Sequence, residues 1–298
     1  MSDFVIIPPT TIEDSNLLSS NFVEEDASDP WVAGTYSLGD IRHHNHRVWE
    51  VTATSTSEEP GTGVDWLDTG PTNEWAAFDD EVITQSIQAD EIHYQIRVQD
   101  LINGVTLINM RALEVQVVVT DDVDGVVYDE TRQLLDLSQI VDWYTWTYEP
   151  RDEIADKQSF INMSLYFDAT IDIYIRYPGD TVKVGLISIG RQRYFALTEW
   201  GVAIGIEDYS RYLFDEFGNL DIVKRGRADK IRYPLILNTE QTARAVRLLK
   251  RLSGTPCVWI GAEYRPETIV YGVYQSWSVL LSNLAFSNID LDIKGYVQ

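Results

Sequence analysis

Five large aromatic rings, Trp31, Tyr36, Trp49, Trp66 and Trp75, crowd into residues 31–78, a stretch rich in Gly, Pro, Thr and Asp. So short a segment cannot bury five such rings in a deep core of its own. It must form a small satellite core, with the other rings at an interface or on a flat binding surface. Downstream, short apolar runs recur between polar turns. Ile171, Ile173 and Ile175 alternate with Asp172, Tyr174 and Arg176, which is the period of a half-buried strand. Together these patterns predict a mainly β chain.

The organisation reads as four parts. Residues 1–29 form an N-terminal arm. Its run Phe4, Val5, Ile6 and Ile7, stopped by Pro8 and Pro9, is too apolar to stay in water, so it adds to a sheet of this chain or another. These four residues are the first candidates for a subunit interface. Residues 30–72 form a small three-stranded module, with His44-Asn45-His46 as a hairpin turn. Residues 73–180 carry strand candidates at 92–98, 113–120, 125–128, 143–148, 159–167 and 171–177, the pattern of an antiparallel jelly-roll-like sandwich. Residues 181–298 mix further strands with one main helix, an α+β arrangement. That helix is capped by Asn238 or Thr239, presents Ala245, Val246, Leu249 and Leu252 on one face, and ends at Gly254 before Pro256.

Charge separates the two halves. Residues 1–150 hold 29 Asp and Glu against 5 Arg and no Lys; residues 151–298 hold 18 acids against 18 bases. The whole net charge of −24 therefore lies in the first half. This argues against nucleic acid or an anionic membrane as a partner. The second half is locally basic at Arg225, Arg227, Arg247 and Arg251, which reads as a subunit surface facing an acidic neighbour. One cysteine, Cys257, leaves no internal disulfide and no Cys-based zinc site. No stretch reaches transmembrane length, and the N-terminus lacks the pattern of a secretory signal.

The spacing W-x-x-G-x-Y-x-x-G-D from Trp31 to Asp40, followed by a basic turn, VWEV and a further Trp, resembles the small carbohydrate-binding modules of chitinases. It resembles even more the copies of that module in tail and baseplate proteins of tailed bacteriophages. The run DYSRYLFDEFGNLDIVKRGRADKIRYPL, the helix after it and GTPCVWIGAEYRPETIVYGVYQSWSV are similar to a domain at the C-terminal end of such proteins. The resemblance implies a non-enzymatic structural component of a phage tail tip or baseplate. It would be present in several copies, bound to other tail proteins, made in the bacterial cytoplasm and located in the virion. It also implies that Trp31, Tyr36 and Trp66 form the module's core. The family's outer Trp is replaced here by VTATST, so contact with a host surface glycan falls to Trp49 first, then Trp75, with Tyr36 beside them. A purely structural spacer is the other reading of the module.

Catalytic and metal patterns are weak. His43, His44 and His46 lie between Arg42 and Arg47, which favours a solvated turn over a metal site. TDDVDG fails the calcium-loop spacing at Thr120 and Thr131. The acidic clusters Asp79-Asp80-Glu81 and Asp215-Glu216 are sequence neighbours, whereas a glycosidase needs two acids across a cleft. No cofactor is expected. A free bacterial glycan-binding protein and a polysaccharide-degrading enzyme are the rival functions.

Overall fold

The computed structural model describes residues 2–135, 142–144, 154–214, 217–282 and 284–297. The expected alternation builds the middle layer. Thr170–Val184 lies between Glu114–Asp121 and Ser86–Arg97, with Gly125–Gln133 and Leu17–Ser20 at the edges of a five-stranded antiparallel sheet. Ile171, Ile173 and Ile175 face the core with Ile92, Tyr94, Ile96, Val115 and Val117. On the opposite face Asp172 accepts from His93 at 3.0 Å, and Arg176 pairs with Glu91 and Glu114.

A second sheet covers that core: Lys157–Phe160, Gly104–Ile108 and Leu186–Gly190. Every residue of these three strands is buried, because the sheet is covered on both faces. That explains its buried polar residues, such as the Thr106 and Ser159 hydroxyls, which bond each other at 2.9 Å. The expected boundary at residue 180 falls inside a strand, and the sandwich runs on to Gly190. Of the strand expected over 143–148, only Trp143 and Tyr144 are described, and they are helical; the rest, like the acidic pair at 215–216, lies outside the described residues.

The last domain closes on itself. Arg193–Thr198, Ser2–Ile7, Cys257–Ile260, Ile269–Leu280, Phe286–Val297 and Arg227–Asn238 pair in that order, and Arg227–Asn238 returns to Arg193–Thr198 through Leu197 opposite Ile236. The result is a six-stranded antiparallel barrel, with Ala203–Asp208 added beside Arg227–Arg232. Its interior holds Phe4, Ile6, Tyr233, Leu235, Trp259, Leu291 and Ile293, onto which the helix Thr242–Arg251 lays Ala245 and Leu249. Buried polar tips are satisfied: the Trp259 indole donates to the Gly272 carbonyl at 2.8 Å, and the Tyr233 hydroxyl to that of Thr268 at 2.8 Å. A 3-10 turn, Thr239–Gln241, precedes the helix, and Asn238 precedes it without a side-chain cap. Gly254 has φ +72°, as expected, but lies two residues past the C-cap Leu252.

The first strand is the junction of the molecule. Phe4 and Ile6 point into the barrel, while Val5 and Ile7 point out onto Ile108, Ile161 and Leu186 of the sandwich. A Cβ at Gly190 would lie 2.3 Å from the Pro8 carbonyl oxygen, so only glycine admits this approach. Two ion pairs reinforce the contact: Lys157 with Asp229, and Arg132 with Glu263.

Burial sets an upper pH limit. It pushes the Cys257 thiol from 9.0 up to about 12, and raises Tyr94, Tyr233 and Tyr271 above the ordinary phenol value of 10.0. Folded and unfolded chains hold these protons equally below pH 9.0, so the contribution to stability is complete there. Above it the unfolded chain releases protons that the folded chain keeps, and stability falls towards pH 12. We expect the urea midpoint to drop steadily as pH is raised from 9.0. A flat profile over that range would contradict the burial of these groups.

Candidate functional site

The small module spends most of its rings on itself. Its sheet is Ile41–His44, Arg47–Val51 and Trp66–Pro71, with Tyr36–Ser37 paired to Ser55–Thr56. Tyr36, Val51 and Trp66 are its core, and Trp31 and Trp49 pack against them. The Tyr36 hydroxyl donates to the Val32 carbonyl at 2.7 Å, and the Trp66 indole to that of Glu58 at 2.9 Å. Trp49 is half-buried: its indole donates to the His44 carbonyl at 3.2 Å, and Gly61 lies against its ring. Trp75 is buried in the sandwich core, stacked on His46 at 4.1 Å. Tyr36 and Trp75 are thus corrected as glycan platforms, because neither presents a free face. Asn45 and His46 turn the hairpin with positive φ. His44 turns to Glu59, while His43, bonded to the Ser28 carbonyl, and His46 share Glu25, at 4.0 and 3.0 Å. Among the described residues no cluster of three or more His, Cys, Asp or Glu could hold a metal.

The expected interface residues separate. Phe4, Val5, Ile6 and Ile7 are fully buried in their own chain, so they are no surface for another subunit. Both faces of their strand are apolar because each meets a different domain. Arg225 and Arg227 are exposed at the far end of Arg227–Asn238 from the helix that carries Arg247 and Arg251. That strand is about 36 Å long at roughly 3.3 Å per residue, so the basic run is two surfaces.

At the Arg227 end stands a separate two-stranded hairpin, Arg211–Phe214 paired with Leu220–Val223. All eight residues are exposed, including Tyr212, Leu213, Phe214, Leu220, Ile222 and Val223. Ile204 and Ile206 of the adjoining strand are exposed as well. Side chains on both faces of this hairpin therefore meet water. A two-stranded ribbon with that composition is marginal alone and gains its stability from whatever covers it.

At the other end, the helix and the strand Arg193–Thr198 border a cleft of about 630 Å³. Arg244, Arg247, Leu248 and Arg251 recur at i, i+3, i+4 and i+7, so they share one helix face, opposite Arg193 and Tyr194. Arg191, Arg193 and Arg244 line the 630 Å³ cleft, whose one carboxylate is Asp3, while Arg247 and Arg251 line an adjoining hollow of about 350 Å³ that shares Arg193, Tyr194, Arg244 and Leu248 with it. Burial, then the neighbouring Arg251, Arg191 and Arg244, holds Arg193 below the usual guanidinium value. A third place, a groove of about 220 Å³, is flanked by Trp200 and Tyr264, both largely exposed. The helical arginine spacing was readable in the sequence; its meeting with Arg191 and Arg193 depends on barrel closure and was not. Comparison with protein-family models, curated proteins and solved structures finds no match to this chain.

Proposed function

We propose that the chain is a non-enzymatic structural subunit of a phage tail tip or baseplate, held in its particle by the hairpin at 211–223. The hairpin's double-sided apolar exposure carries this reading, since a neighbouring subunit is what would cover it. The resemblance at residues 200–298 supports the same role. Contact with host glycan would fall to the exposed Trp200 and Tyr264, because the Trp49 ring is partly covered. Phe214 and Leu220 are paired and exposed, so the double variant Phe214→Ser/Leu220→Ser should fold normally yet fail to enter particles or to self-associate. Wild-type incorporation of that variant would overturn the proposal.

A further inference from the structure

Before residue 180, positive charge on the described arginines is always paired. Each described arginine before residue 180, namely Arg42, Arg47, Arg97, Arg111, Arg132 and Arg176, sits within 4.0 Å of a carboxylate. None of the five arginines of the helix–strand cleft does so among the described residues. The Arg193 Nε is also buried with no hydrogen-bond partner. Holding like charges together, one with a buried unpaired N–H, costs free energy that an anion in the cleft would return.

We propose that this cleft binds a compact polyanion, a saccharide-sized ligand carrying two or more phosphate or sulfate groups. Guanidinium forks match tetrahedral oxyanions bidentately. Arg244 to Arg251 spans two helical turns, about 10 Å, so the row takes more than one anionic group. Tyr194, half-exposed, and Leu248 supply an apolar strip for a ring between the charges. The two adjoining hollows, of about 630 and 350 Å³, each suit a small ligand. A long polyanion is disfavoured by repulsion from the chain's overall net charge of −24.

Titration calorimetry on the full chain, with sucrose octasulfate, inorganic tripolyphosphate and uncharged sucrose as probes, tests this. Sucrose octasulfate should bind more tightly than tripolyphosphate, which carries fewer charges and no ring. Both should weaken steeply between about 50 and about 300 mM salt, and sucrose should not bind. Arg244→Gln/Arg251→Gln should weaken octasulfate binding about tenfold or more, with a melting temperature unchanged or about 1–2 °C higher, because repulsion is relieved. Arg193→Lys, which keeps the charge and loses the fork, should also bind more weakly. Phe214→Ser/Leu220→Ser should bind as wild type, so this site and the assembly surface fail independently. Three outcomes would overturn the site: octasulfate binding no better than sucrose, binding unchanged in the double variant, or a lowered melting temperature in that variant. Tripolyphosphate binding as tightly as octasulfate would refute the saccharide frame. Tighter binding of a polyglutamate peptide or a single-stranded oligonucleotide than of either small anion would overturn the compact ligand in favour of a macromolecule.

Discussion

Removing residues 1–7 should leave the chain unable to close its barrel. Phe4, Val5, Ile6 and Ile7 are each fully buried. At about 1.5–3 kcal/mol for each such side chain, the strand contributes roughly 6–12 kcal/mol, comparable to the whole stability of an ordinary domain. Its loss also unpairs two neighbours at once, Arg193–Thr198 and Cys257–Ile260, and opens the seam with the sandwich. The truncated chain should lose the near-ultraviolet signal of buried Trp259 and become protease-sensitive between 193 and 297. A synthetic peptide of residues 1–12 supplied in trans should restore part of both. A truncated chain that melts like the full one would show that this strand is dispensable.

Asp229→Ala should be the most damaging single exchange among the ion pairs. Asp229 lies on the barrel and faces Lys157 of the sandwich, whose side chain is 8% exposed. Removing the acid leaves a buried ammonium without its counter-charge, an effect of about 3–5 kcal/mol. Lys157→Met alone should also destabilise, because Asp229, with a side chain 17% exposed, loses its counter-charge, and Lys157→Met/Asp229→Ala should recover most of the loss. Urea denaturation of the three variants checks this. A double variant no more stable than Asp229→Ala would mean that the acid acts through some other contact.

The mainly β, antiparallel class with one main helix was legible because it rests on local periodicity. Ile171 to Ile175 alternate where the sheet is half-buried, and Asp124-Gly125 turns where φ must be positive, +75° at Gly125. What the sequence hid was non-local. A four-residue apolar run reads the same whether it is buried by one partner or two, so Phe4 to Ile7 suggested a subunit interface and proved to be the core of two domains. Tyr36 and Trp75 carry the composition of a binding face, yet their burial depends on neighbours such as Trp66 and His46 that only the fold brings near. The arginine cleft lay half in view, since Arg244, Arg247 and Arg251 keep helical spacing while Arg191 and Arg193 reach them through pairing some forty residues away.

The barrel's first strand also dictates an order of events during synthesis. It leaves the ribosome before both of its partners, and Cys257–Ile260 follows only after 250 further residues. At about 5–20 residues per second that is a wait of roughly 12–50 s before the barrel that buries Phe4 and Ile6 can close. The sandwich, whose strands end at Gly190, can form in that interval and shelter Val5 and Ile7 against Ile108 and Leu186. The nascent chain would then hold its N-terminal segment docked on a finished domain, as the template on which the rest of the barrel is laid down.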